Sequence, residues 1–184
     1  MQAKTDLSHY RKGGYKPGRG FFCMVLWTIC SRIFIESGWF PFSKIKRFIL
    51  ICFGAKIEKH VVIKPFVKIK FPWKLRIGSY VWIGEHCWID NLDTVSIQSH
   101  SCLSQRVYLC CGNHNFNSAT FDLITQPIEI KQGVWVAASA CVMPGTILEE
   151  HVVVTAGSII SGHTIPYGIY KGNPAALVKT RSLK

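Results

Sequence analysis

The stretch IKQGVWVAASACVMPGTILEEHVVVTAGSII, residues 130–160, decides the fold. Ile130, Val136, Val142, Leu148, Val154 and Ile160 follow one another at intervals of six, which is neither the period of a helix nor that of an ordinary strand. The same interval runs upstream. Ile57, Ile63 and Ile69 are followed, after a slip of two residues, by Ile77, Ile83 and Ile89, and after a second slip by Ile97, Leu103 and Leu109. The place four residues after each start is mostly small or β-branched, as at Val61, Val81, Val107, Ala140, Thr146 and Val152. Six-residue units of this kind predict an all-β chain wound as a parallel β-helix. Each short strand turns a corner, three units make one triangular coil, and about five coils stack so that their aliphatic columns bury one another. A sandwich of irregular strands would instead show turn signals every 8–12 residues or so.

The composition agrees with a packed core. Of 184 residues, 48% are hydrophobic and 17% charged, which excludes a disordered chain. The 22 Lys and Arg outnumber the 10 Asp and Glu, and the net charge of +12 predicts attraction to polyanions: nucleic acid, an anionic membrane face or phosphorylated ligands. Eight cysteines occur without a C-x-x-C pair or a secretory signal, so they are expected to be reduced fillers in a cytosolic protein. The apolar run FFCMVLWTICSRIFI, residues 21–35, is interrupted by Arg32 and shorter than the about 20 residues a spanning helix needs. Next to it GWFPFSKIKRFILICFG, residues 38–54, mixes Trp39, Phe40 and Phe42 with Lys44, Lys46 and Arg47. Two readings stay open: an interfacial segment on a membrane, or two short helices capping the core. Three segments result. Residues 1–52 are expected to form a tail and a short helical segment, with membrane association as one of its two readings, 53–170 the β-helix, and 171–184 a C-terminal tail.

The six-residue beat stops between Leu109 and Ile130, and residues 110–129 are expected to leave the stack as a loop. His60, His86, His100, His151 and His163 all fall three residues after the start of a unit, in a turn slot that faces solvent. Only His114, in the loop beside Asn113, is left unexplained by the lattice, since His9 belongs to the polar N-terminal stretch. Histidine suits general-base work near neutral pH. Cys110 and Cys111 precede a glycine and show no Asp or His partner pattern, so they read as filler. No metal is expected, because the turn-slot histidines lie on different units.

These residues resemble the hexapeptide-repeat acyltransferases, and among them the colanic acid biosynthesis acetyltransferases. FGAKI (53–57), GNHNFN (112–117), GVWVAASACVMPGTIL (133–148) and KGNPA (171–175) carry the resemblance, which spans about residues 51–178. It implies a left-handed β-helix and a homotrimer with three active sites between neighbouring copies. It further implies acetyl-CoA as co-substrate and transfer to a sugar hydroxyl in surface polysaccharide synthesis. On matching positions, His114 would be the catalytic base in an extended catalytic loop. Ala138, Ala156 and Gly157 would line the pantetheine path, Asn173 and Pro174 would lie by the adenine, and Lys179 or Arg181 by the phosphates. Asn91 and Asn113 would contact the acceptor. The chain departs from relatives in having SGHTIP (161–166) without a lysine, Ala137 in place of a frequent glycine, and its own WIDNLD (88–93).

The acceptor implied is a sugar or lipid-linked oligosaccharide, met at the inner face of the cell membrane by the cationic, aromatic N-terminal segment and by Lys64, Lys68, Lys70, Lys74 and Arg76. Alternatives are an amino-sugar N-acetyltransferase of the same fold, a γ-carbonic-anhydrase-like metal-dependent β-helix protein, and a scaffold that binds no CoA. Nucleic acid is not an expected partner, because the basic residues are not interleaved with stacking aromatics on a recognisable module.

Overall fold

Each unit start stacks on its counterpart one coil away in the computed structural model, which describes residues 4–183. On the first face the strands Lys56–Ile57, Leu75–Ile77, Val95–Ile97, Ile128–Ile130 and Ile147–Leu148 pair in parallel, so that Ile57, Ile77, Ile97, Ile130 and Leu148 form one column. The second face aligns Ile63, Ile83, Leu103, Val136 and Val154, and the third Ile69, Ile89, Leu109, Val142 and Ile160. All of these side chains are buried, and so are their small neighbours four residues on. A fully buried aliphatic of this size contributes about 1.5–3 kcal/mol, which a single coil exposed on both sides could not realise. Five coils are complete. A sixth is begun by a bridge from Ile147 to His163 and by the strand Gly168–Gly172, which pairs with Val153–Val154.

Every departure from the six-residue beat occurs at the corner between the third and first faces. A 3-10 turn at Pro72–Lys74 absorbs the first slip, and the extra residues after Asn91 absorb the second. The long loop leaves from the same corner one coil higher, so insertions never disturb the register of a face. The other corners are closed by residues in the left-handed region. His60, His86, His100 and His151 all have φ between 58° and 61°, as the turn slot predicts. A non-glycine residue there costs about 1–3 kcal/mol, and ring stacking offsets part of it. His60 stacks on Tyr80 at 4.7 Å, Tyr80 on His100 at 5.2 Å, and Phe66 on His86 at 4.6 Å. His163 differs: its Nε2 lies 2.7 Å from the Glu149 carboxylate, outside any such stack.

Two helices close the lower end of the stack. The helix α1, Phe21–Cys30, continues as a π turn over Ser31–Ile35, and α2 spans Ser43–Cys52. Trp27, Ile35 and Leu50 are buried, and the Trp27 indole donates to the Ile69 carbonyl at 3.1 Å. The core-capping role therefore belongs to the inner faces of these helices. At the other end, residue 171 lies within a strand. Gly168–Gly172 and Ala175–Thr180 form an antiparallel hairpin that extends the second face, in place of a separate tail from 171.

Lys46 is buried completely, and its ammonium donates to the carbonyls of Ile35 at 3.3 Å and Lys64 at 3.1 Å. Desolvation pushes its pKa down to about 8. Between there and the ordinary lysine value near 10.5, the unfolded chain holds this proton more often than the folded one. The contribution of Lys46 to stability therefore rises with pH through that window. Denaturant unfolding at about pH 7.5 and about pH 9.5 checks this: the stability of the wild type relative to Lys46→Met should improve at the higher pH.

Candidate active site

The loop that leaves the third corner folds back as an antiparallel hairpin, Gly112–His114 against Leu123–Thr125, with His114 opposite Leu123. The His114 ring is half-buried and stacks on Phe121 at 4.3 Å, with the planes 9° apart. Its Nδ1 lies 3.1 Å from the Phe121 carbonyl oxygen. A carbonyl can only accept, so Nδ1 is the donor, and in the neutral ring this leaves the lone pair on Nε2. Phe121 is itself held at φ 51°, a conformation unusual for a bulky residue, which sets both its ring and its carbonyl against the imidazole. Thr120 Oγ1 donates to Asp122 at 2.7 Å and Asn115 N–H to the Asp122 carbonyl at 2.8 Å, bracing the loop around this contact. The arrangement fixes the plane of the imidazole and, in its neutral form, favours the tautomer that leaves Nε2 as the basic nitrogen.

The polar N-terminal stretch, which carries no periodic signal, straps this loop. Asp6 N–H donates to the Ala119 carbonyl at 2.8 Å and Leu123 N–H to the Arg11 carbonyl at 3.2 Å. These bonds place the Tyr10 ring 6.0 Å from that of His114. Further along, Trp73 donates to the Pro17 carbonyl at 2.7 Å, and the Lys74 ammonium sits over the Tyr15 ring, bonded to the carbonyls of Lys16 and Leu92. Lys74 is thus a clamp on the strap and not part of a solvated basic strip, and desolvation lowers its pKa. Lys70 is likewise paired, 3.0 Å from Asp90.

Asn91 has both ends of its amide engaged by the main chain. It is fully buried at the third corner, where its amide accepts from Phe71 N–H at 2.9 Å and donates to the Phe71 carbonyl at 2.6 Å. Its role is to join two coils directly below the point where the loop departs. Asn113 is exposed on the hairpin and uses its side-chain oxygen to accept the His114 N–H at 2.8 Å. Cys111 is buried, and burial pushes its thiol up to about 12, which leaves no thiolate at neutral pH. The Cys110 sulfur rests 3.1 Å from the Gly112 carbonyl. All eight cysteines are free, and among the described residues no three His, Cys, Asp or Glu side chains converge.

The small residues cluster elsewhere. Ala138 and Ala156 with Gly157 occupy the second corner on successive coils, tied by Gly157 N–H to the Ala138 carbonyl at 2.9 Å. A Cβ built on Gly157 meets nothing within 4 Å, so this corner is open. The hairpin turn at Asn173 and Pro174 lies over it, because Gly172 N–H donates to Ser158 Oγ at 3.1 Å. Arg181 does not join this group. It lies at the other end of the hairpin, where its guanidinium donates weakly to the carbonyls of Gly133 and His151 at 3.4 and 3.5 Å, and Lys179 stands opposite Ile169. Within one chain, then, His114 projects from the third corner while Ala138, Ala156, Gly157, Asn173 and Pro174 gather at the second.

No family model matches the chain. It is 35% identical over 179 residues to the putative colanic acid biosynthesis acetyltransferase WcaF of Escherichia coli K12, which covers 96% of this chain and 97% of that one. Among solved structures, a hexapeptide-repeat acetyltransferase of Vibrio cholerae in complex with acetyl-CoA aligns with a TM-score of 0.77 at 19% identity, over 95% of this chain and 97% of that one. A maltose O-acetyltransferase of Clostridium difficile aligns with a TM-score of 0.75 at 16% identity, over 99% and 100%. The stacked hexapeptide units, the histidine-bearing loop at one corner and a relative matched over nearly the whole length lead to one assignment: the chain belongs to the hexapeptide-repeat acetyltransferases, as a relative of the colanic acid biosynthesis acetyltransferases.

Proposed function

We propose that this protein transfers an acetyl group from acetyl-CoA to a sugar hydroxyl during surface polysaccharide synthesis, with His114 as general base. The observation that carries the reading is the Nδ1 bond from His114 to the Phe121 carbonyl, which leaves Nε2 as the acceptor of the hydroxyl proton. As the proton moves to Nε2, the sugar oxygen attacks the thioester carbonyl. Collapse of the tetrahedral intermediate expels the CoA thiolate, which regains the proton from the imidazolium. Direct transfer within a ternary complex leaves no acyl-enzyme, and holding both substrates in one cleft supplies much of the rate enhancement. The open second corner suits a pantetheine arm, since Ala138, Ala156 and Gly157 let backbone groups approach it closely.

His114 and these small residues occupy different corners of one chain, which supports a homotrimer whose sites form between neighbours. Tyr10 would then wall the acceptor side with an aromatic face. The acceptor is a sugar or lipid-linked oligosaccharide, and the enzyme works in the cytoplasm as a peripheral protein at the inner membrane face. Among the described residues no helix is long and apolar enough to cross a membrane.

CoA-thiol release from acetyl-CoA, measured with a panel of sugars, amino sugars and lipid-linked oligosaccharides, tests the reading. Release should depend on an acceptor with a free hydroxyl. Turnover restricted to amino sugars would assign N-acetyl transfer in its place, and absence of release with every acceptor would remove the enzymatic reading.

A further inference from the structure

The two helices that cap the core turn a large apolar face outward. On α1 and the π turn that continues it, Phe22, Leu26, Ile29 and Ile33 recur at helical spacing and are 43–87% exposed. On α2, Ile45 and Phe48 do the same at 46% and 64%, and Trp39 and Phe42 in the connection are 66% and 57% exposed. The faces meet in a cleft of about 490 Å³ lined by Arg19, Phe22, Leu26, Cys52 and Phe53. Scattered apolar residues are normal on a surface, but a continuous patch across two helices marks an interaction site.

The charges around it specify the occupant. Residues 1–76 hold 16 of the 22 Lys and Arg and only 3 of the 10 Asp and Glu, a net +13, whereas the remaining chain carries 6 against 7, a net −1. Four of these cations, Lys4, Arg11, Lys12 and Lys16, belong to the strap, and residues 19–76, which form the helices and the first coils, carry the other 12 against only 2 acidic residues. A second pocket of about 560 Å³ at the start of α2 is lined by Ser43, Lys44, Arg47, Lys59 and His60, with no acidic residue. A second copy pressed on this face would bring the same positive charge against itself. A surface that is apolar below and negative at its edge complements it: a bilayer with anionic headgroups.

We infer that α1 and α2 lie in the plane of an anionic lipid surface, with Phe22, Leu26, Ile29, Ile33 and Phe48 in the acyl boundary. Lys44 and Lys59 meet headgroup phosphates. This deepens the peripheral placement proposed above by assigning the surface and the lipid class. No spanning segment is needed, because the inner faces of the helices remain packed on the coil through Trp27 and Leu50.

Co-sedimentation of the full chain with phosphatidylcholine vesicles, with and without phosphatidylglycerol, tests the inference. Binding should require the anionic lipid and fall at high salt. Exchange of Leu26→Asp with Phe48→Asp, or of Lys44→Glu with Lys59→Glu, should each lower the bound fraction about tenfold or more. Trp39 fluorescence should be quenched by brominated lipid. Equal binding to neutral vesicles, or sedimentation unchanged in both double variants, would overturn it. A lower molecular mass for the Leu26→Asp/Phe48→Asp protein in light scattering would also overturn it, by showing the face to be an interface between copies. His114→Ala should sediment like the wild type, and the four surface substitutions should keep CoA release with a soluble acceptor, so docking and acetyl transfer fail separately.

Discussion

Replacement of His114 by alanine should lower turnover by about two to four orders of magnitude, the range that a positioned general base supplies. The loss should fall on kcat, because the ring is only half-buried in the loop and contributes nothing to the aliphatic columns. CoA affinity should stay near wild type, since the open corner at Ala138, Ala156 and Gly157 is built from other coils. Circular dichroism and thermal unfolding should be close to wild type as well. His114→Asn provides the sharper comparison. It keeps a polar group that can still donate to the Phe121 carbonyl at the Nδ1 position, and with it the loop contact, but removes the basic nitrogen at the Nε2 position. If the bond to Phe121 only orders the loop, the asparagine variant recovers activity. If Nε2 is the base, it is as slow as alanine. Turnover near wild type in either protein would end the assignment of His114.

The ease with which this histidine stands out in the sequence has a physical basis. A six-residue lattice assigns every residue a direction, so a histidine off the lattice is conspicuous while His60, His86, His100 and His151 are accounted for by their corners. The lattice also places all three aliphatic columns correctly, because burial in a stacked coil depends on position within the unit and hardly on longer-range detail. What it hides are contacts made between segments without a period. The strap of residues 4–18 is polar and glycine-containing, and its bonds to Ala119, Leu123 and Trp73 use main-chain groups that any sequence provides. The burial of Lys46 depends on the carbonyls of Ile35 and Lys64 turning inward, and that of Asn91 on the Phe71 main chain one coil below. Both side chains read as surface or ligand-binding residues until those partners are placed. The same holds for the Phe121 carbonyl, whose bond to His114 depends on a left-handed backbone seven residues further on.

Truncation of Leu103 to alanine should cost about 2–5 kcal/mol and lower the melting temperature by roughly 4–20 °C. Leu103 is fully buried on the second face, in register with Ile83 below and Val136 above. The coils on both sides are held by their own hydrogen bonds: Gly84 N–H donates to the Leu103 carbonyl and Ser104 N–H to that of Val136. They cannot sink into the void, so the cavity persists and the penalty belongs in the upper part of that range. Ile160 provides the contrast. It is also buried, but it ends its column and registers with Val142 alone. In a stack whose stability is a sum of nearest-neighbour interfaces, a central unit supports two of them and a terminal unit one. Ile160→Ala should therefore cost about half as much, and the difference is measurable by denaturant unfolding of the two variants side by side. Equal losses would show that the coils do not couple through their columns in the way the register implies, and that cohesion comes from the edges of the faces.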